Sequence, residues 1–377
     1  MVNDGARFYR SMASGNRISN RDLDCLWCLA ASFDLSLKLK PSQLSLLTAK
    51  RISPAPYSRA TLFRRMRLNL PSLFSSFPIC GRIEELDLAD SSCITNEIRF
   101  GFQRSKRARL RSQENTDFLS IAKLVDRWNG QSGVFSVTDL HYIGTRFDTR
   151  VNTSALNDFN LLPRGTDGFQ SQDSLVMSTQ GAVTDSHSDD HSGSNHSFVG
   201  TKLWLLWDTV EGFDHGLEDV EHNDVFGQAA FDMTSFLEMP SSRWILIGPS
   251  QTMFIPANLT HKVVTLSPYI GLGSFYAALP GFIDLLIRWE RLRPQWASKS
   301  SRAGRNTVGF LARRAIRKLR LLRDASDAER LRWGFPHLKN RLGCLEADRK
   351  SAIDEAASQK HSHLTSFVRA ARHAMVS

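Results

Sequence analysis

His187-Ser188-Asp189 sets an imidazole and a carboxylate at the two ends of one tripeptide, and His261 follows from a distant stretch of the chain. In an extended tripeptide the two ends point to the same side. A second imidazole arriving from another strand completes three ligands on one face of a metal and leaves the opposite face open. That is the donor set of a 2-His-1-carboxylate site for non-haem Fe(II). A His-x-Asp pair alone carries little weight, since any strand edge can spell it. Asp190 is a rival to Asp189 as the carboxylate ligand. His191 and His196 read as exposed loop residues, because two imidazoles and one carboxylate already complete the triad.

Lys202 opens the apolar aromatic run Leu203-Trp204-Leu205-Leu206-Trp207. A lysine in such a place either leans out to water or is buried against an anion. No acidic residue adjoins it closely in sequence, so an inward ammonium calls for an anionic ligand.

Three separated motifs carry a family resemblance. Asp173-Ser174-Leu175-Val176-Met177-Ser178 precedes Thr184-Asp185-Ser186-His187-Ser188-Asp189, the run from Gly248-Pro249 through Pro256 leads into His261, and Gly271-Leu272-Gly273-Ser274-Phe275 comes last. Together they resemble the JmjC-domain Fe(II)/2-oxoglutarate oxygenases, a cupin-like group, nearest to the lysine-demethylase branch with a Thr-Asp-x-His-x-Asp motif. The resemblance spans about residues 134–280. It implies a double-stranded β-helix in which His187, Asp189 and His261 hold Fe(II). It also implies that Thr184 and Lys202 bind the far carboxylate of 2-oxoglutarate, with the ammonium pointing toward Thr184 and room for a five-carbon diacid before the metal. Asn152 falls where the family places a pocket-facing Asn, and a turn residue is the alternative. The implied reaction couples oxidative decarboxylation to hydroxylation of a C–H bond; on an N-methyl group that releases formaldehyde. This sequence departs from the family pattern at Asp208-Thr209, at Leu259-Thr260 and in the Ser/Asn/His-rich stretch after Asp189. Those residues border the pocket mouth, so the resemblance does not extend to the substrate.

The rest of the chain must position these residues. Its 377 residues are 41% hydrophobic and 23% charged, which suits a globular protein with a full core. No run of about 18 apolar residues is present, so no transmembrane helix is expected, and the N-terminus lacks the apolar region of a secretory signal. Five cysteines do not suggest a disulfide framework, and Cys25-Leu26-Trp27-Cys28 reads as an apolar helix face rather than a zinc site. A net charge of +10 favours acidic partners such as nucleic acid or chromatin. The run Arg104–Arg111 matches a nuclear-import pattern and reads equally well as an exposed loop. A nuclear location is therefore expected, with the cytoplasm as the alternative.

The expected architecture is α+β: a basic helical region over 1–80, a jelly-roll domain over 81–290 and a basic helical region over 291–377. Trp244–Ile247, Thr252–Ile255 and Val263–Leu266, punctuated by Gly248-Pro249 and Pro256, have the rhythm of short antiparallel strands. Val134–Leu140 reads as a strand and Ile83–Leu88 as a half-exposed one. Phe118, Ile121, Leu124, Val125 and Trp128 form a helical stripe, as do Val308, Leu311, Ala315, Leu319 and Leu322, the latter flanked by arginines. The acidic segment between Trp207 and Arg243 is expected as loop and helix near the barrel mouth.

Two functional readings follow. The first is an active Fe(II)/2-oxoglutarate dioxygenase that hydroxylates a protein side chain, with demethylation of histone methyl-lysine as one version. The second is a catalytically silent jelly-roll module that binds chromatin or a protein partner through its basic extensions.

Overall fold

The computed structural model describes residues 46, 49–81, 87–102, 106–112, 116–153, 155, 158–162, 173–189, 191–217, 231–257, 259–287, 289, 302–347 and 363–375. Its first elements are β1 (Ala55–Pro56), the helix Arg59–Arg67, β2 (Ser72–Ser76) and β3 (Cys80–Gly81). After the helix Ser91–Gly101 come β4 (Arg107–Ser112), β5 (Thr116–Ser120), the helix Ile121–Asn129, β6 (Phe135–His141) and β7 (Val151–Asn152). Four strands then follow closely: β8 (Asp173–Ser178), β9 (Val183–His187), β10 (Ser192–Val199) and β11 (Lys202–Asp208). The helices Thr209–Asp214 and Met233–Glu238 precede β12 (Arg243–Ile247), β13 (Thr252–Ile255), β14 (Leu259–Thr265) and β15 (Tyr269–Tyr276).

These strands build one large sheet, in the order β1-β2-β13-β10-β15-β8-β6-β4-β5, and one small sheet, β12-β11-β14-β9. From β8 onward the chain passes back and forth between the two sheets, apart from the step from β11 to its antiparallel neighbour β12, which stays in the small one. The pairings among β8 to β15 are antiparallel, so the α+β class is observed. β2, within the segment expected to be helical, pairs with β13 and is a member of the large sheet.

Side-chain alternation fixes which faces meet. Trp204, Leu206, Ile245, Ile247 and Val263 of the small sheet share one buried cluster with Leu73, Met253 and Ile255 of the large sheet. The two sheets therefore pack face to face. On its other face the large sheet buries Leu110, Val137, Leu175 and Met177 against Ile94, Ile98, Leu124, Val125 and Trp128 of the flanking helices. Each such side chain contributes about 1.5–3 kcal/mol on burial.

Several local expectations change. Thr116–Ser120 is strand, not helix, and Phe118 is exposed, because Ser120 is extended and its hydroxyl caps the helix that starts at Ile121. The described part of the basic run is Lys106–Arg111, and Arg107–Arg111 is not a loop: it lies in β4, with Ala108 and Leu110 buried and Arg107 and Arg109 outward. The Cys25–Cys28 motif, residues 83–86 and the acidic residues 218–230 lie outside the described residues. The C-terminal stripe behaves as expected: in the helix Arg302–Arg323, Leu311, Ala315, Leu319 and Leu322 are buried with Phe282 and with Phe367 and Ala371 of the helix His363–Met375. Among the described residues no helix is long and apolar enough to cross a membrane.

His196, in the large sheet, is buried and its Nδ1 lies 2.7 Å from the Thr252 hydroxyl. Burial pushes its pKa from 6.5 down to about 4. The unfolded chain therefore takes up a proton that the folded one refuses as pH falls from about 6.5 to about 4. Stability is full above this window and falls through it by about 1.4 kcal/mol per pH unit. Urea unfolding of His196→Gln should show a flatter acid limb than the parent; an unchanged slope would refute the assignment.

Candidate metal centre

β9 and β14 lie side by side with His187 directly opposite His261. The same ladder pairs Thr184 with Val263, with a register shift between the two pairs. His261 and Val263 share a face of β14, so Thr184 and His187 share the adjoining face of β9. That face looks toward the large sheet, since Val263 belongs to the cluster between the sheets.

Asp189 lies just past the end of β9. Its Oδ2 is 3.8 Å from His261 Nε2, and one donor atom from each of His187, Asp189 and His261 lies within 4.8 Å of the other two. Ligands bonded at about 2.1 Å to one ion sit roughly 3–4 Å apart, so the spacing suits a shared metal. The imidazole rings of His187 and His261 are 4.1 Å apart between centroids.

Both histidines are set for ligation by their backbone. His187 Nδ1 is 2.7 Å from the carbonyl of Asp185, and His261 Nδ1 is 3.1 Å from that of Leu259. A carbonyl can only accept, so each Nδ1 carries the proton and donates, which leaves the Nε2 lone pair free. Burial, reinforced by the neighbouring His187, holds the His261 pKa well below the usual value, against a smaller opposing effect of the Leu259 carbonyl. A neutral His261 makes no ion pair with Asp189, and 3.8 Å is too long for a hydrogen bond. The two groups converge without satisfying one another.

Lys202 is buried, at 3% exposure. In the register of β11 against β14, Lys202 faces Thr265, Trp204 faces Val263 and Leu206 faces His261. Lys202 therefore belongs to the inner face that bears His261, roughly 13 Å further along the strand. Its Nζ sits 4.6 Å from the centroid of the Tyr269 ring, and it has no acidic partner among the described residues. Burial alone lowers its pKa from 10.5 to about 7. Thr184, half-buried, lies on the same face with β14 between it and Lys202.

Three residues at this site escaped the sequence reading. The Tyr269 hydroxyl donates to Asn195 Oδ1, and burial raises the Tyr269 pKa, so the phenol keeps its proton. Trp204 lies 5.2 Å from His261 between ring centroids, and its indole Nε1 is buried with no hydrogen-bond partner among the described residues. The available signal was alternation: Asn195 opposes Gly273, and Gly271 opposes Ser197, so two glycines leave space beside the polar residues. A Cβ at Gly271 would lie 2.3 Å from the His196 carbonyl oxygen and 2.6 Å from the Tyr269 hydroxyl.

Other candidates are not brought here. His191 and His196, expected to be exposed, are both buried, His191 against the rings of Phe275 and Trp289 and His196 beside Thr252. Neither joins the triad. Asn152 pairs with Cys80 in a separate two-stranded sheet. Asp190 lies outside the described residues. Comparison of the chain with protein-family models, and with curated proteins, gives no match.

Proposed function

We propose that this chain is an Fe(II)/2-oxoglutarate-dependent oxygenase of the JmjC type that hydroxylates a protein side chain, with methyl-lysine in a basic, histone-like peptide as one substrate class. The passage of β8 to β15 between two facing sheets supports a double-stranded β-helix as its scaffold. The observation that carries the reading is Lys202, a buried amine without an acidic partner among the described residues, on the same inner face as three converging metal donors. A structural lysine in that position would be expensive to keep, and a dianionic ligand removes the expense.

The residues present fit both groups. His187, Asp189 and His261 would hold Fe(II), each histidine oriented by its Nδ1–H bond to a backbone carbonyl. Lys202 would pair with the far carboxylate of 2-oxoglutarate, with Thr184 as a neutral donor. Bound together, Fe(II), 2-oxoglutarate and O2 supply oxidative C–H hydroxylation, with succinate and CO2 as the other products. The protein's part is to orient and to exclude water: Trp204 flanks His261, and Tyr269, bonded to Asn195, stands beside the Lys202 ammonium. With a net charge of +10, the chain is also suited to acidic chromatin partners, and a nuclear location is proposed with it.

Anaerobic calorimetry tests the reading. Fe(II) or Mn(II) should bind one site per chain, and 2-oxoglutarate should bind tightly only when the metal is present. Aerobic incubation with Fe(II), 2-oxoglutarate and methylated histone peptides should then yield succinate. A protein that binds neither metal nor 2-oxoglutarate is the silent module instead.

A further inference from the structure

Thr184 and His187 are three residues apart, and in a regular strand such residues face opposite sides. They share a face here because the β9–β14 ladder shifts register, so Lys262 of β14 stands opposite two residues, Asp185 and Ser186. On the side of the small sheet away from the triad, Lys262 Nζ bonds the Asp185 carboxylate. The two side chains are 2% and 8% exposed, and the ammonium lies 6.0 Å from the centroid of the Phe231 ring. Phe231, Phe236 and Trp207 pack on one another on the same side, tilted or edge to face. The pair thus joins the two strands that carry the histidines, one residue from His261 and two from His187, under an aromatic cover.

We infer that the Asp185–Lys262 ion pair is a register lock that positions the metal centre: it holds the extra residue of β9 outward and thereby turns Thr184 and His187 inward together. This inference rests on the metal-centre reading above. Stability alone does not account for the pair, because a buried ion pair often does no better than apolar residues of the same size. What it supplies is specificity of register. A slip by one residue would carry every side chain of β9 to the other face and part the Asp185 carboxylate from the Lys262 ammonium. Thr184, His187 and His261 would then no longer share a face. Asp185 and Lys262 touch neither metal nor substrate; they act through the histidines.

The test is Co(II) binding, followed by calorimetry and by the visible ligand-field spectrum, beside thermal unfolding of the metal-free chain. In Asp185→Leu/Lys262→Met the charges are replaced by apolar groups. The variant should melt cooperatively near the parent temperature, yet bind Co(II) about tenfold or more weakly with an altered spectrum, the scale of loss typical of groups that orient metal ligands. Parent-like affinity and spectrum in that variant would overturn the lock. Should the double variant not fold, Asp185→Asn and Lys262→Arg replace it. The first should lose affinity by the same order and the second should keep it, whereas parent-like binding by Asp185→Asn overturns the proposal. A parent chain that binds no Co(II) would remove the metal centre itself and the lock with it, an outcome distinct from a parent that binds and a double variant that binds equally.

Discussion

Lys202→Met should stabilise the ligand-free protein while abolishing 2-oxoglutarate binding and leaving metal affinity almost unchanged. The argument starts from the buried ammonium, whose pKa falls from 10.5 to about 7. Between those values the unfolded chain holds a proton that the folded chain has shed. Below about 7 the folded chain carries the full cost of a buried charge, on the order of 5 kcal/mol. Stability of the parent should therefore rise as pH increases from about 7 toward 10.5, and the Met variant should lose that dependence. Methionine fills much the same space without the charge. The metal donors stand roughly 13 Å further along the strand, so they are little disturbed. Calorimetry with Mn(II) and then 2-oxoglutarate, together with melting curves at pH 7 and 9, checks all three parts. A Met variant that still turns 2-oxoglutarate over, or that melts well below the parent, would refute the role assigned to Lys202.

Removal of a metal donor should act in the opposite sense. His261→Ala and Asp189→Ala are each expected to weaken divalent-metal binding by at least about a hundredfold, since loss of groups that merely orient a ligand already costs ten- to a hundredfold. Succinate formation should vanish with the metal. The controls are His191→Gln and His196→Gln, which remove the nearby imidazoles that do not converge on the site. Both should bind metal as the parent does. If His191→Gln lost the metal while His261→Ala kept it, the ligand set would be wrong even though a metal site existed.

The two substitutions also separate the roles proposed for the triad and for Lys202. Under the proposed function a donor variant should lose metal first and 2-oxoglutarate as a consequence. The Lys202 variant should lose only the second ligand. In a silent module neither substitution would change the binding of metal or 2-oxoglutarate.

Some of this protein is written locally in its sequence. Trp244–Ile247 and Thr252–Ile255 are apolar runs broken by Gly248-Pro249 and Pro256, and they form β12 and β13 with those breakers marking the strand ends. The stripe from Leu311 to Leu322 repeats at helical spacing and is buried on that side. The donor types of the triad are legible for the same reason: imidazole and carboxylate chemistry belongs to the residues themselves. Sequence alone misplaced what depends on neighbours. Phe118 fitted the helical stripe, but pairing of β5 with β4 took it into a strand. His191 and His196 looked like loop residues in a Ser/Asp/His-rich segment and are buried, His196 because β10 is held between β13 and β15 and His191 because the rings of Phe275 and Trp289 pack on it. Most of all, Thr184 and His187 face one way only because Lys262 of another strand stands opposite Asp185 and Ser186, and the Tyr269–Asn195 pair exists only where β15 meets β10. Residue type sets what each group can do; the register between strands far apart in the chain decides which groups can do it together, because a shift of one residue moves a side chain to the other face.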